Sequence, residues 1–260
     1  MSSMKAFTPL LSAAALAVSL AAIAAPSHAA VIAQFSPVTN ADDYKWVKSG
    51  GSGATAGTGG TFFSANTASA ASAQAVAVSF SFLDPNLAAL DFLPALFTLS
   101  ASVASGHPAS FDGSTWTQLG LSGAFSFIYN GANEVVDGIH LTHGENLLSG
   151  TFANGWIQGS GGSGSANETF DNGGTATYTS QVLDVAQIQP GSEGFALNLL
   201  SVSPHFGASA HKALNSFKAN GGGNFEALSV PEPATWGLMI MGFGGMGALL
   251  RRRRTAMALA

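Results

Sequence analysis

Residues 75–82 read AVAVSFSF. On an extended chain Val76, Val78, Phe80 and Phe82 fall on one side and Ala75, Ala77, Ser79 and Ser81 on the other, because successive strand side chains point to opposite faces. That two-residue period marks a strand with one face in a core and the other in water. The device recurs in AFSFIYNG at 124–131, where Phe125, Phe127 and Tyr129 share a face and Asn130-Gly131 supplies a hairpin-turn signal. TFF at 61–63, ALFTLSASV at 95–103, LLSGTFANGW at 147–156, TATYTSQVLDV at 175–185, FALNLLSV at 195–202 and the SF and NF pairs near 216 and 224 extend the series. Eight or more short strands set apart by Gly, Asn and Ser predict an all-β domain, a β-sandwich or jelly-roll.

Helical signals are few. Asp84-Pro85 offers a cap and a first turn, with Leu87 and Leu90 three apart, and Pro94 stops any helix soon after. ASAHKALNSFKAN at 208–220 reads equally well as a short helix or a strand. SGGSGATAGTGG at 49–60 and GSGGSGSAN at 159–167 read as mobile Gly/Ser loops. Neither holds the Lys of a phosphate-binding P-loop or the strand-to-helix setting of a dinucleotide fingerprint.

Composition agrees with an exported β protein. Only 9% of residues are Asp, Glu, Lys or Arg, against about 25% in an average soluble domain, so Ser, Thr, Asn, Gln and the 32 Gly must supply the surface. There is no Cys, which excludes disulfides, thiol catalysis and thiolate metal sites and leaves stability to the hydrophobic core. Charge is unevenly placed. Between the terminal segments lie four lysines, Lys45, Lys48, Lys212 and Lys218, against thirteen acids, a net charge near −9. A body of that sign has no basic face for a phosphate backbone, so nucleic acid is excluded as a partner.

The N-terminus, MSSMKAFTPLLSAAALAVSLAAIAAPSHAA, has one cation at Lys5, an apolar stretch from Leu10 to Ala25, then Pro26 and the small-residue site Ser27-His28-Ala29. This is the layout of a secretory signal peptide cleaved between Ala29 and Ala30, with an uncleaved membrane anchor as the alternative. Near the other end, Ala234 to Leu250 is a run of 17 uncharged residues, enough at about 1.5 Å per residue to span much of a hydrocarbon core of about 30 Å. Arg251, Arg252, Arg253 and Arg254 follow it and would hold that end in the cytoplasm, with Trp236 at the outer interface. A buried core helix is the competing reading, and the four arginines argue against it.

Catalytic signals are sparse. No Gly-x-Ser-x-Gly elbow occurs. In IHLTHGEN at 139–146, His140, His143 and Glu145 have the chemistry of metal ligands, but on a strand the two histidines face opposite ways and Gly144 turns the chain, so a solvated loop is expected. Asp84-Pro-Asn86, Asp112-Gly113 and Asp171-Asn172-Gly173 offer oxygens for calcium, although such residues also build turns unaided. Paired glycosidase carboxylates need a separation that a sequence cannot supply, and adjacent Asp42 and Asp43 would diverge. Thr175, Thr177 and Thr179 line one face of a strand; regular threonine ladders order water, but a single row is an ordinary solvent-facing strand. Trp116 or Trp156 would stack on sugar rings if exposed and would anchor the core if not.

Val230-Pro231-Glu232-Pro233-x-x-Trp236, a short Gly-rich apolar span and a terminal Arg cluster together closely resemble the PEP-CTERM sorting signal of Gram-negative bacteria in its Trp-containing form. Gly237 stands where that form usually has Ala, and TAMALA at 255–260 extends past the arginines. The body, with its SGxFSF, LLSGTF and NSF runs, is similar to uncharacterised proteins carrying the same signal. The resemblance implies processing by an exosortase, a membrane protease of transpeptidase type. Pro231, Glu232, Pro233 and Trp236 would then be recognition residues on the substrate. It also implies transient residence in the inner membrane, then the cell surface or matrix, in the company of exopolysaccharide and biofilm. The resulting division is a signal peptide at 1–29, an extracytoplasmic β domain at 30–229, the sorting signal at 230–254 and a short tail. The expected function is structural or adhesive, with no catalytic residues and no cofactor beyond an optional calcium; the alternative is a secreted carbohydrate-active enzyme or carbohydrate-binding module. A third possibility is a permanently anchored protein.

Overall fold

The computed structural model describes residues 29–38, 43–50, 56–162, 164–169 and 175–228. The expected signal peptide before Ala29, the sorting signal after Leu228, Asp42 and Asp171 to Gly173 lie outside these residues.

The described chain is built of strands with two single-turn 3-10 segments. The strands are β1 (Ala30–Pro37), β2 (Tyr44–Lys48), β3 (Gly60–Ser64), β4 (Val76–Phe82), β5 (Leu93–Val103), β6 (Ser110–Phe111), β7 (Thr115–Tyr129) and β8 (Glu134–Val136). There follow β9 (Ile139–Leu141), β10 (Asn146–Ser160), β11 (Ala166–Thr169), β12 (Thr175–Thr179), β13 (Gly194–Ser203), β14 (Phe217–Asn220) and β15 (Gly223–Ala227). The all-β expectation holds. In β4 the alternation falls as the sequence dictates, with Val76, Val78, Phe80 and Phe82 buried. Ser81 is buried too, because its Oγ accepts the N–H of Phe92, 3.0 Å away.

Every pairing is antiparallel, and three long strands branch. One edge of β5 pairs with β7, while its other edge divides between β4 at residues 93–97 and β3 at residues 100–103. β10 divides in the same way, with β7 along one edge and β12 and β11 along the other. β13 carries β11, β14 and β15. Following the partners, β5–β4–β1–β15–β13–β11–β10–β7 returns to β5. A second route through β3, β2 and β14 also closes. The two layers of the sandwich are thus joined into a closed body, which pairs both edges of most of the described long strands and so guards against unwanted pairing.

One wall contains β5, β7, β10 and β12; β1, β15 and β13 form the opposite one. Between them lies an aromatic core. Phe127 is fully buried and has its ring centroid 4.8 Å from Phe35, 4.6 Å from Phe97, 4.8 Å from Phe80 and 5.4 Å from Phe225. Phe195 and Phe225 stack at 4.5 Å and 4°, with Phe125 at 4.9 and 5.0 Å. Burying each such side chain is worth about 1.5–3 kcal/mol, with roughly 0.5–1.5 more for each well-placed pair. This core replaces the disulfides that an exported chain of this kind lacks. Gly123 and Gly150 let the wall close over it: a Cβ on Gly123 would stand 2.6 Å from the Ala101 Cα, and one on Gly150 would stand 2.9 Å from the Phe125 ring.

Several local expectations change. Asn130-Gly131 does not join β7 directly to β10. The chain first makes a small β8–β9 hairpin, whose two-residue turn is Asp137-Gly138, both at positive φ (50° and 81°). That turn, with its Asp-Gly pair, is the one whose backbone matches strand twist. The run at 159–167 is not all loop, since Gly159 and Ser160 end β10 and Ala166 and Asn167 open β11. The ambiguous 208–220 segment is extended, with a bridge between Ala208 and Leu214 followed by β14. Asp84 caps its 3-10 turn as expected, accepting the Asn86 N–H at 2.8 Å, and Leu87 and Leu90 are buried beneath.

β1 and β15 are neighbours with Ala30 opposite Ala227. The first strand therefore starts, and the last one finishes, at the same pole.

Candidate binding surface

The outer face of the β5–β7–β10–β12 wall is set by register. Buried Phe97, Leu99 and Ala101 of β5 force Thr98, Ser100 and Ser102 outward; buried Phe125 and Phe127 do the same for Ala124 and Ser126. In β10 the outward positions are Ser149, Thr151 and Ala153, and in β12 they include Thr177 and Thr179, beside buried Ala176 and Tyr178. Cross-strand pairing lines these up. One row runs Thr98–Ser126–Ser149–Thr179, the next Ser100–Ala124–Thr151–Thr177, and a third begins Ser102–Ser122. Adjacent strands stand about 4.8 Å apart, and outward positions repeat about every 6.8 Å along a strand. The result is a two-dimensional grid of small, uncharged side chains, most of them hydroxyl-bearing and interrupted by Ala124 and Ala153.

The grid is ordered by its own hydrogen bonds. Ser149 Oγ and Thr179 Oγ1 are 2.8 Å apart, as are Thr151 Oγ1 and Thr177 Oγ1, and Asn146 Nδ2 donates to Ser149 Oγ at 2.9 Å. A paired bulge bounds it on one side. Asn154 at φ 60° in β10 and Gly120 at φ 82° in β7 each take up an extra residue, so both strands keep their facing. Beyond the bulge Leu119 pairs with Trp156, so an indole and an exposed leucine continue the same face. On the β3 side the face ends where Phe63 is covered by Ala65 and Ala70. The threonines of β12 were legible as one row. The other rows were missed because each strand shows only its own hydroxyls. The signal was nonetheless present, since ALFTLSASV, LSGAFSF and LLSGTFA all alternate apolar residues with Ser, Thr or Ala.

The other candidates separate. His140 is exposed in β9, while His143 places Nδ1 3.1 Å from the Gly131 carbonyl, which can only accept from it, and donates its backbone N–H to Asn133 Oδ1 at 2.8 Å. Glu145 Oε2 is occupied by the Thr142 N–H at 2.8 Å. Among the described residues no three His, Asp or Glu side chains gather as a metal site. Asp112 Oδ1 accepts the backbone N–H groups of Ser114 and Thr115 at 2.9 and 2.7 Å, which hold its carboxyl below the usual range and commit that oxygen to the turn. Trp116 is half-buried beneath Phe111, with ring centroids 4.7 Å apart. Tyr129 donates to Glu134 and lies 2.9 Å from the Ala132 carbonyl; burial, then Glu134, pushes its hydroxyl up to about 12. Burial likewise raises Tyr178, which donates to the Gly194 carbonyl.

At the pole shared by the strand ends there is an apolar groove of about 300 Å³, lined by Val31, Leu83, Pro85, Leu183, Ile188 and Leu228 among others. Ala30, on the expected cleavage bond, is exposed at its margin as the first residue of β1. No described helix is long and apolar enough to cross a membrane.

Immediately after Leu228 the chain enters a recognisable segment: residues 229–254 match the family described as the PEP-CTERM protein-sorting motif. The chain carries a PEP-CTERM sorting signal. It contains Pro231, Glu232, Pro233, Trp236 and Arg251 to Arg254, the residues singled out from the sequence. A PEP-CTERM signal marks an exported protein, processed by an exosortase-type enzyme, and implies membrane-associated sorting to the cell surface. No curated protein and no solved structure matches the chain.

Proposed function

We propose that this chain is a structural or adhesive protein of the cell surface or extracellular matrix of a Gram-negative bacterium, acting among exopolysaccharide in biofilm. It reaches that place through a cleaved signal peptide and a transient stay in the inner membrane. It works by binding, without a catalytic step, a cofactor or nucleic acid. The observation that carries the reading is the pairing of a PEP-CTERM signal with a body that turns an uncharged, hydroxyl-bearing wall outward. Such a wall offers many weak donors and acceptors and no activated group, which suits retention in a hydrated polymer rather than bond cleavage. Asp84 and Asp112, two of the candidate calcium ligands, accept backbone N–H groups within their own turns, which fits the same division of labour.

The test is retention of the protein by extracellular polysaccharide from cells that produce it, alongside an assay for newly released reducing ends. Retention without turnover is the expected outcome. Robust release of sugar would replace this reading with that of a carbohydrate-active enzyme.

A further inference from the structure

The outer wall of β5, β7, β10 and β12 is specific enough to name its ligand class. We infer that this wall is the adhesive site and that it takes a neutral, extended polysaccharide lying across the strands. The inference rests on the adhesive reading above and adds to it a place and a chemistry.

Three observations converge. The first is the hydroxyl grid. A hydroxyl both donates and accepts, as do the hydroxyls of a sugar, so rows such as Thr98–Ser126–Ser149–Thr179 present complementary groups over four strands, about 14 Å. Thr151 and Thr177 are β-branched and held together at 2.8 Å, so their rotamers are set before a ligand arrives and little entropy is lost on binding. The second is the aromatic margin. Trp156 stands on the same face, paired with Leu119, which is 54% exposed. A ring beside hydrogen-bonding groups suits a pyranose, which has an apolar face and a polar rim. The third is charge. No row residue is ionisable, whereas the body as a whole is acidic, with thirteen acids against four lysines. An anionic polymer would be repelled by the domain and would find no cation on this wall to compensate. A neutral chain meets neither obstacle.

The competing occupant of an unpartnered wall is a second copy of this protein, and the same grid argues against it. Stable interfaces between copies have apolar centres, whereas this wall has mostly hydroxyls at its centre, with Leu96 and Ile128 at one margin and Leu119 and Trp156 at the other.

The test uses the full chain in detergent micelles and affinity electrophoresis through gels containing neutral glucan, mannan or galactan, or anionic alginate. Retardation by at least one neutral polymer and not by alginate is expected. Thr151→Val together with Thr177→Val removes two hydroxyls while keeping shape and strand preference; Trp156→Ala removes the aromatic margin. Each is expected to weaken retardation about tenfold, the equivalent of about 1.4 kcal/mol. Gln34→Val, on the exposed side of β1 in the opposite wall, should bind as the parent does. Near-UV circular dichroism identifies any variant that fails to fold, and Trp156→Phe then takes the place of Trp156→Ala, expected to keep most of the binding. Folded wall variants that bind like the parent would overturn the assignment while leaving the adhesive reading intact. A parent that binds no polysaccharide would end both. Binding to alginate alone would overturn the neutral class, and a wall-dependent dimer indifferent to polymer would replace it with self-association.

Discussion

Phe127→Ala probes whether the two walls are held together by one aromatic core. The ring is fully buried and touches Phe35 and Phe225 of one wall and Phe97 of the other, all within 5.4 Å, as well as Phe80 of β4. Truncation leaves a cavity that these large neighbours cannot easily fill, because each is already fixed by its own partners, as Phe225 is by Phe195 at 4.5 Å. Phe→Ala in such a site costs about 3–5 kcal/mol. Against a typical stability of about 5–15 kcal/mol that is a large fraction, equivalent in a body of this size to a fall in Tm of roughly 6–20 °C. Urea unfolding followed by tryptophan fluorescence reads it, since Trp46 is fully buried and reports loss of the fold. Thr151→Ala on the outer wall serves as a reference expected to stay within about 0.5 kcal/mol. A Phe127→Ala cost below about 1 kcal/mol would refute the argument: the walls would then be held by their shared strands and not by the core between them.

Three further perturbations test other elements. Gly123→Ala places a Cβ 2.3 Å from the Ser100 carbonyl oxygen and 2.6 Å from the Ala101 Cα, so β5 and β7 must separate; a loss of about 1–3 kcal/mol in chemical unfolding is expected. Tyr129 remains neutral in the folded protein to about pH 12, while an unburied tyrosine ionises near 10.0, so its contribution is complete below pH 10 and is lost as pH rises towards 12. Stability should fall over that window by at most about 1.4 kcal/mol per pH unit for this group, with Tyr178 acting in the same direction, and Tyr129→Phe should flatten the slope. Glu232→Ala within the PEP-CTERM signal should leave the body folded but stop processing, seen by mass spectrometry as a chain that keeps its Arg cluster.

How far the sequence reaches is shown best by β4 and β7. In AVAVSFSF and AFSFIY large apolar residues recur at every second position, and burial follows them, with Ser81 buried and Ile128 half-buried as the exceptions, because one face of each strand has nowhere else to go. Pairing order was not legible. That β5 divides its edge between β4 and β3 depends on which distant strand arrives at residues 93–97 and which at 100–103, and nothing local to ALFTLSASV records it. Asn130-Gly131 misled for a related reason: a favourable turn pair is only one of the demands on a loop, and the better-matched Asp137-Gly138 lay seven residues on. The binding wall was half visible. TATYT displayed its threonines, but a grid exists only when several strands in register bring their hydroxyls together, and register is a property of the folded body.

The adjacency of Ala30 and Ala227 has a mechanical consequence. On the adhesive reading proposed above, a chain that grips a polymer while still held through its sorting signal is pulled from Leu228, just past the end of β15. β15 is flanked on one side by β1 and on the other by β13. Tension drawn from Leu228 runs along the strand axis, perpendicular to both hydrogen-bond ladders, so it must shear two rows of bonds at once and cannot peel them singly. An edge strand in the same place would be held by one row only. By placing its exit strand between two others, the fold would, on that reading, give the wall a tether that resists drag.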